Sequence, residues 1–305
     1  ISEDAAQLTV DVSGWVSTES AVRGSAGFLS SQVPERILDT RIRLGGRAPR
    51  AGRTISVKVR GRGGVPVRGT SAVVLNLTAT EASRSGYVTV WPSGSPRPRR
   101  PALRVAARRT VSNRIVVPLG ADGEISMFNG TRSTVQLVAD INGILSGGGR
   151  QDVAMAGVSP LTPTRLLDTR SGLGGINGPV VSDAPVLFPV AGRGGVPPAA
   201  SSIPATAVVA TVTVMAPTTH GSLTVFPTGI DRPAAADLHF RRGRTVSNLV
   251  VARLGSDGSL ALAVSAGQAH VVVDVFGYAS GDTFVSPQAA VLPSSQVTDV
   301  VGPAD

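Results

Sequence analysis

The sequence predicts an all-β protein: two tandem β-sandwich, jelly-roll-like modules related by internal duplication. Three observations carry that reading. A series of motifs recurs in constant order at offsets of 129 to 135 residues. Glycine (36) and proline (22) make up about a fifth of the 305 residues while only 16% are charged, which suits short strands joined by tight turns and not a helical bundle. Short Val/Ile/Leu/Thr-rich runs recur, several of them alternating with the period of a half-buried strand, and no stretch sustains a 3.6-residue period.

The elements follow in order. Residues 1–17 contain Leu8-Thr9-Val10-Asp11-Val12-Ser13-Gly14-Trp15, which matches Val271–Tyr278 at the end of the second copy, so the chain opens on the terminal strand of a preceding or partner module. Val10, Val12 and Trp15 form its apolar set, a candidate assembly strand. It is either the remnant of a truncated module or a strand that adds to another subunit's sheet, with residues 284–301 supplying that sheet's opening segment. Residues 18–32 read as linker, 33–146 as module 1, 147–159 as linker, 160–280 as module 2, and 281–305 as a tail that resembles the start of another module.

Within the modules, Arg36-Ile37-Leu38-Asp39-Thr40-Arg41 returns as Arg165-Leu166-Leu167-Asp168-Thr169-Arg170. Gly61–Pro66 (Gly-Arg-Gly-Gly-Val-Pro) returns as Gly192–Pro197, loop chemistry in which Gly supplies positive φ and Pro stops a ladder. Ala72–Thr78 matches Ala207–Thr213, Gly86–Pro92 matches Gly221–Pro227, and Thr110-Val111-Ser112-Asn113 matches Thr245–Asn248. Strands are predicted over Thr54–Val59, Ala72–Thr80, Tyr87–Trp91, Ile115–Leu119, Ile125–Phe128 and Val135–Ile141. Asp122-Gly123 and Asp257-Gly258, each between two such runs, are the strongest short hairpin signals. A β-trefoil is the competing all-β reading, but no copy subdivides threefold.

As a set, these motifs resemble a repeat module of secreted and cell-surface actinobacterial proteins. The resemblance covers about residues 33–146 and 160–280 with the fragment 8–16. It implies export and a non-catalytic role, and brings no catalytic residues with it. Copy one departs from the pattern at Ala139, at Ile144 and in its arginine density.

No enzyme, metal or cofactor is expected. The absence of cysteine excludes disulfide scaffolds, zinc-thiolate sites and thiol catalysis. No Gly-x-Ser-x-Gly elbow, His-Glu-x-x-His or Walker loop occurs. His220, His239 and His270 read as surface or strand histidines rather than a metal set. Asp39/Arg41 and Asp168/Arg170 read as pins on each module's start, and Asp140 and Asp274 as caps of a bulge or arginine partners rather than calcium ligands. Trp91 and Phe226, at matching positions, read as core or end-cap aromatics.

Charge is unevenly divided: residues 1–150 carry net +11 and residues 151–305 net −2. Arg97, Arg99, Arg100, Arg104, Arg108 and Arg109, interleaved with proline, form the candidate face for an anionic polymer. Nucleic acid is disfavoured as its partner because only 4% of residues are aromatic. No stretch is long and apolar enough to span a membrane. The start at Ile1, without Met or an apolar leader, fits an exported and processed chain and equally a trimmed fragment.

Together these features predict an extracellular structural or assembly protein of the cell surface, partnered by itself in an array or filament. The alternative is a binding module anchored to cell-wall polysaccharide or another anionic polymer through the arginine-rich face of module 1. A hydrolase ranks last.

Overall fold

The computed structural model describes residues 28–146, 157–182 and 184–280, in which strands and turns account for all the regular structure. Module 1 comprises β1 (Phe28–Asp39), β2 (Thr54–Lys58), β3 (Thr70–Thr80), β4 (Gly86–Pro92), β5 (Leu103–Val105), β6 (Val111–Pro118), β7 (Glu124–Asn129) and β8 (Gln136–Ser146). Its two sheets run β1-β8-β3-β6 and β2-β7-β4-β5, the strand orders of a jelly roll. Module 2 repeats the plan with β9 (Gly157–Asp168), β10 (Val180–Val181), β11 (Val186–Pro189), β12 (Ala205–Met215), β13 (Gly221–Pro227), β14 (Leu238–Phe240), β15 (Val246–Arg253), β16 (Ser259–Val264) and β17 (Gln268–Ser280). Its sheets are β9-β17-β12-β15 and β11-β16-β13-β14. The short β10 extends the β9 edge along the start of β17. All ladders are antiparallel.

Each module has its own core. In module 1, Leu38, Leu75, Leu77, Ile125, Met127, Leu137 and Ile141 meet between the sheets; in module 2, Leu167, Phe188, Leu223, Leu260 and Leu262 do so. Every other residue of β3 points inward (Val73, Leu75, Leu77, Ala79), as the pleat requires. The Gly-Arg-Gly-Gly-Val-Pro loops fold back on themselves, with Gly61 N–H donating to Val65 O at 2.8 Å and Gly192 N–H to Val196 O at 2.9 Å, and plug each core with Val65 or Val196.

The opening strands begin earlier than the sequence indicates: residues 28–32 and 157–159, expected as linker, belong to β1 and β9. Pro34 and Pro160 obscured them. Both prolines sit on edge strands near breaks in register, where a missing N–H is tolerated. The Asp-Gly turns are also corrected. They close no hairpin, because β6 and β7 lie in opposite sheets, as do β15 and β16. Each turn instead carries the chain across the sandwich, with Asp122 Oδ1 accepting from Glu124 N–H at 2.9 Å. Residues 1–17 with Val10, Val12 and Trp15, and residues 281–305, lie outside the described residues.

Candidate functional site

The Leu-Asp-Thr-Arg motif builds the same charged cluster in both modules. Asp39 accepts from the Arg41 backbone N–H at 3.2 Å, from Arg41 Nε at 2.9 Å and from Arg41 Nη2 at 2.7 Å. Arg36 bridges to Asp140, with Nε donating at 2.8 Å. In module 2, Asp168 takes Arg170 Nε at 2.9 Å and Arg165 Nε donates to Asp274 at 2.8 Å. The Arg41 and Arg170 guanidinium hydrogen bonds hold the Asp39 and Asp168 carboxyls well below the usual range. Thr40 and Thr169 tie this corner to the last strand, accepting from Leu137 N–H at 2.9 Å and Val271 N–H at 3.0 Å. The turn that follows needs glycine: at Gly45 (φ +71) a Cβ would lie 2.2 Å from Ile37 O, and at Gly174 (φ +89) 2.7 Å from Leu166 O. These clusters serve the fold. Among the described residues, no group of three or more His, Asp or Glu is arranged to hold a metal ion.

One cluster is covered and the other open. The Arg36–Asp140 side chains are 24% and 2% exposed, against 46% and 31% for Arg165–Asp274. The difference is module 2, which packs on the outer face of the β1-β8-β3-β6 sheet. Val74 and Leu145 of module 1 meet Val158, Val209 and Val251 there.

Beside this apolar patch runs a polar seam. Arg36 Nη2 donates to Ala234 O at 3.2 Å, Asn76 Nδ2 to Ala236 O at 2.6 Å, and Asn248 Nδ2 to Asn76 Oδ1 at 3.2 Å. At its centre the Arg114 and Asp237 side chains, 0% and 2% exposed, form an ion pair across the two modules. Arg114 also donates to Val251 O at 3.3 Å, and Asp237 accepts from Val225 N–H at 2.6 Å. Burial pushes the Asp237 carboxyl up, and the Arg114 charge and the Val225 amide oppose it. Burial likewise pushes Asp140 up, against Arg36. Ser112 Oγ and His239 Nδ1 share a hydrogen bond of 2.8 Å across the seam. Burial, with Arg41 and Arg36 nearby, holds the His239 imidazole down to about 4, so the ring is neutral at physiological pH.

Arg114 and Asp237 were not singled out by the sequence reading. The signal was in the copy alignment: Leu249 stands where copy one has Arg114, and Ala102 where copy two has Asp237. Each copy carries a charge at a position where the other is apolar, and the two charges are of opposite sign. The shared Asn of the Thr-Val-Ser-Asn motif is structural in both copies. Asn113 Nδ2 donates to Ala102 O at 2.8 Å and Asn248 Nδ2 to Asp237 O at 2.6 Å, tying the entry of β5 to β6 and that of β14 to β15.

The six arginines of the expected anionic-polymer face lie on three successive segments, the β4–β5 connection, β5 and the β5–β6 turn. Arg97 lies 3.8 Å over the Phe128 ring. Arg232, at the same position in copy two, also folds onto its sheet, donating to Val264 O at 3.2 Å. Arg99 and Arg100 sit in the β4–β5 connection, and Arg104 points outward from β5 opposite Tyr87. Arg108 and Arg109 lie in the β5–β6 turn, which meets module 2: Arg241 Nη2 donates to Arg108 O at 2.8 Å. Beneath the β4–β5 connection Trp91 is buried and donates to Ser95 O at 3.0 Å; Phe226 is buried at the matching place with Ala261 and Ala263. His270 pairs with Thr169 at 3.0 Å, His239 pairs with Ser112, and His220 is exposed in a turn; His220 and His239 both line one cleft, which His270 does not.

Where the β5–β6 turn of module 1 meets the β12–β13 and β14–β15 turns of module 2, a cleft of about 830 Å³ opens. Arg109, Arg241, Arg242 and Arg244 line it with His220 and Ser222, and no lining residue is acidic.

The sequence matches no protein-family model and no curated protein sequence. Among solved structures, the tandem CBM22 domains of Paenibacillus barcinonensis Xyn10C align over 83% of this chain and 100% of theirs at 10% identity and a TM-score of 0.21. The PBSX exported protein XepA aligns over 90% of this chain and 98% of its own at 14% identity and a TM-score of 0.25. YhhW from Escherichia coli aligns over 85% and 87% at 9% identity and a TM-score of 0.21. Likenesses this distant carry no argument about what the chain does.

Proposed function

We propose that this chain is a non-catalytic structural protein of the cell surface, exported and built so that two jelly-roll modules act as one rigid block. The observation that carries the reading is the seam. A flexible pair of binding modules needs only a linker, whereas here Arg114 and Asp237 are buried against each other across the two modules. A buried ion pair fixes geometry more than it adds stability, because each charge is costly unless the other is in place. The motif resemblance to secreted actinobacterial repeats supports the extracellular setting, and the duplication supports a role in which modules are stacked.

Two measurements test this. Trypsin applied to intact producing cells should release peptides of this chain; release only after lysis overturns the surface assignment. Small-angle scattering of the full chain should give one fixed inter-module distance that broadens in Arg114→Leu. An equally broad distribution in the parent overturns the rigid block. Self-assembly, the finer part of the reading, requires the mass in solution to rise with concentration and to fall back when residues 1–17 are deleted.

A further inference from the structure

We propose that the cleft between the modules is a binding site for a short acidic oligosaccharide, a role beyond the structural one and independent of it. The cleft is assembled from four turns, one of module 1 and three of module 2, the last contributing Ser265. Its four guanidiniums are Arg109 from module 1 and Arg241, Arg242 and Arg244 from module 2. Among the described residues none of the four makes an ion pair. Four like charges gathered around one concavity repel each other, and an anion seated among them relieves that repulsion.

The ligand class follows from size and lining. A volume of about 830 Å³ lies within the range of small-ligand sites and well above the needs of a lone phosphate ion. Guanidinium forks recognise carboxylate-type groups in bidentate fashion, and four of them on two facing turns, one from each module, suit several acid groups in succession. The rest of the wall is hydroxyl-rich, with Thr110, Thr219 and Ser222, as suits a polyhydroxylated chain. Nucleic acid fits poorly, since the wall holds no Trp or Tyr and its one Phe, Phe240, is 2% exposed and offers no face for stacking.

The backbone at the rim bears the mark of a built site. Arg108 holds a left-handed conformation (φ 57) at the position where module 2 has Gly243 (φ 68). Such a conformation is costly for a residue with a side chain and persists where the surroundings require it. Here it presents the Arg108 carbonyl to Arg241 Nη2 at 2.8 Å, which fixes the position of that guanidinium beside the cleft.

The test is calorimetric titration of the full chain with trigalacturonate at an ionic strength of about 0.01 M, where the Debye length is about 30 Å. Binding is expected, and maltotriose, uncharged and of similar size, should not bind. Arg242→Ser with Arg244→Ser, both on an exposed turn, should weaken binding by about tenfold or more, as loss of charge-assisted hydrogen bonds implies. Arg97→Ser with Arg99→Ser, on the remote loop, should leave it unchanged. Chemical-shift changes on titration should centre on residues 219–222 and 241–244. No binding of trigalacturonate, equal binding of maltotriose, loss confined to the Arg97/Arg99 variant, or binding of an oligothymidylate in place of the acidic sugar would each overturn the proposal.

Discussion

Asp168 shows how a short motif becomes structure. It accepts from the backbone and guanidinium of Arg170 and faces Arg165, and the Arg170 hydrogen bond holds its carboxyl below the ordinary range. Asp39 repeats the arrangement with Arg41. Because the unfolded chain binds protons first at these groups, the stability they supply is complete above about pH 3.9 and drains away as pH falls below it. Asp39→Asn should cost about 1.5–3 kcal/mol at neutral pH, the scale of a hydrogen bond to a charged group. The Asp39→Asn/Asp168→Asn double variant should show a flatter acid limb in unfolding followed against pH. An acid limb as steep as the parent's would refute the assignment. His239 titrates in a higher window. Its imidazole is held at about 4 against an ordinary 6.5, so the unfolded chain takes up the proton first as pH falls from 6.5, and stability drops across that range. His239→Asn should remove that slope; circular dichroism melts on either side of the window would detect it.

At the scale of elements, alternation revealed the strands that lie half in a core. β2, β3, β4, β7 and β8 all cover runs picked out as rich in Val, Ile, Leu and Thr, several of them alternating, because each lays apolar side chains into a core. β5 and β14 escaped, since three residues are too few to show a period and β5 follows the Arg/Pro-rich run. β6 begins four residues before the apolar run, at Val111, because the Thr-Val-Ser-Asn motif is polar. Its Ser112 faces Thr78 at 2.8 Å and, in copy two, Ser247 faces Thr213 at 2.8 Å, so hydroxyl pairs fill places where an apolar residue was looked for. The Asp-Gly turns mark a real bend, but a turn signal names no partner strand, and a jelly roll sends the chain to the other sheet. The arginine run was legible as charge, whereas the cleft was not legible at all, because convergence of turns from two modules is a tertiary fact: three of the four arginines that line the cleft, Arg241, Arg242 and Arg244, belong to module 2 and stand outside the run.

At the scale of the whole molecule, the two copies have diverged so that they fit each other. The outer face of β3 is buried at Val74 and Asn76, while its counterparts Val209 and Thr211 in β12 are half-buried. Positive groups of module 1, Arg36 and Arg114, meet the carbonyl of Ala234 and the carboxylate of Asp237 in module 2. The central claim is that Arg114 and Asp237 are one paired divergence that locks the modules together. A double-mutant cycle tests it directly, using the residues each copy already supplies to the other: Arg114→Leu, Asp237→Ala and both together, with unfolding of the full chain followed in denaturant. Each single change strands a buried charge and should cost about 3–5 kcal/mol, whereas the double variant, apolar on both sides, should be more stable than either single variant. Single losses that add in the double variant would show that the two charges do not act on each other, and would contradict the account.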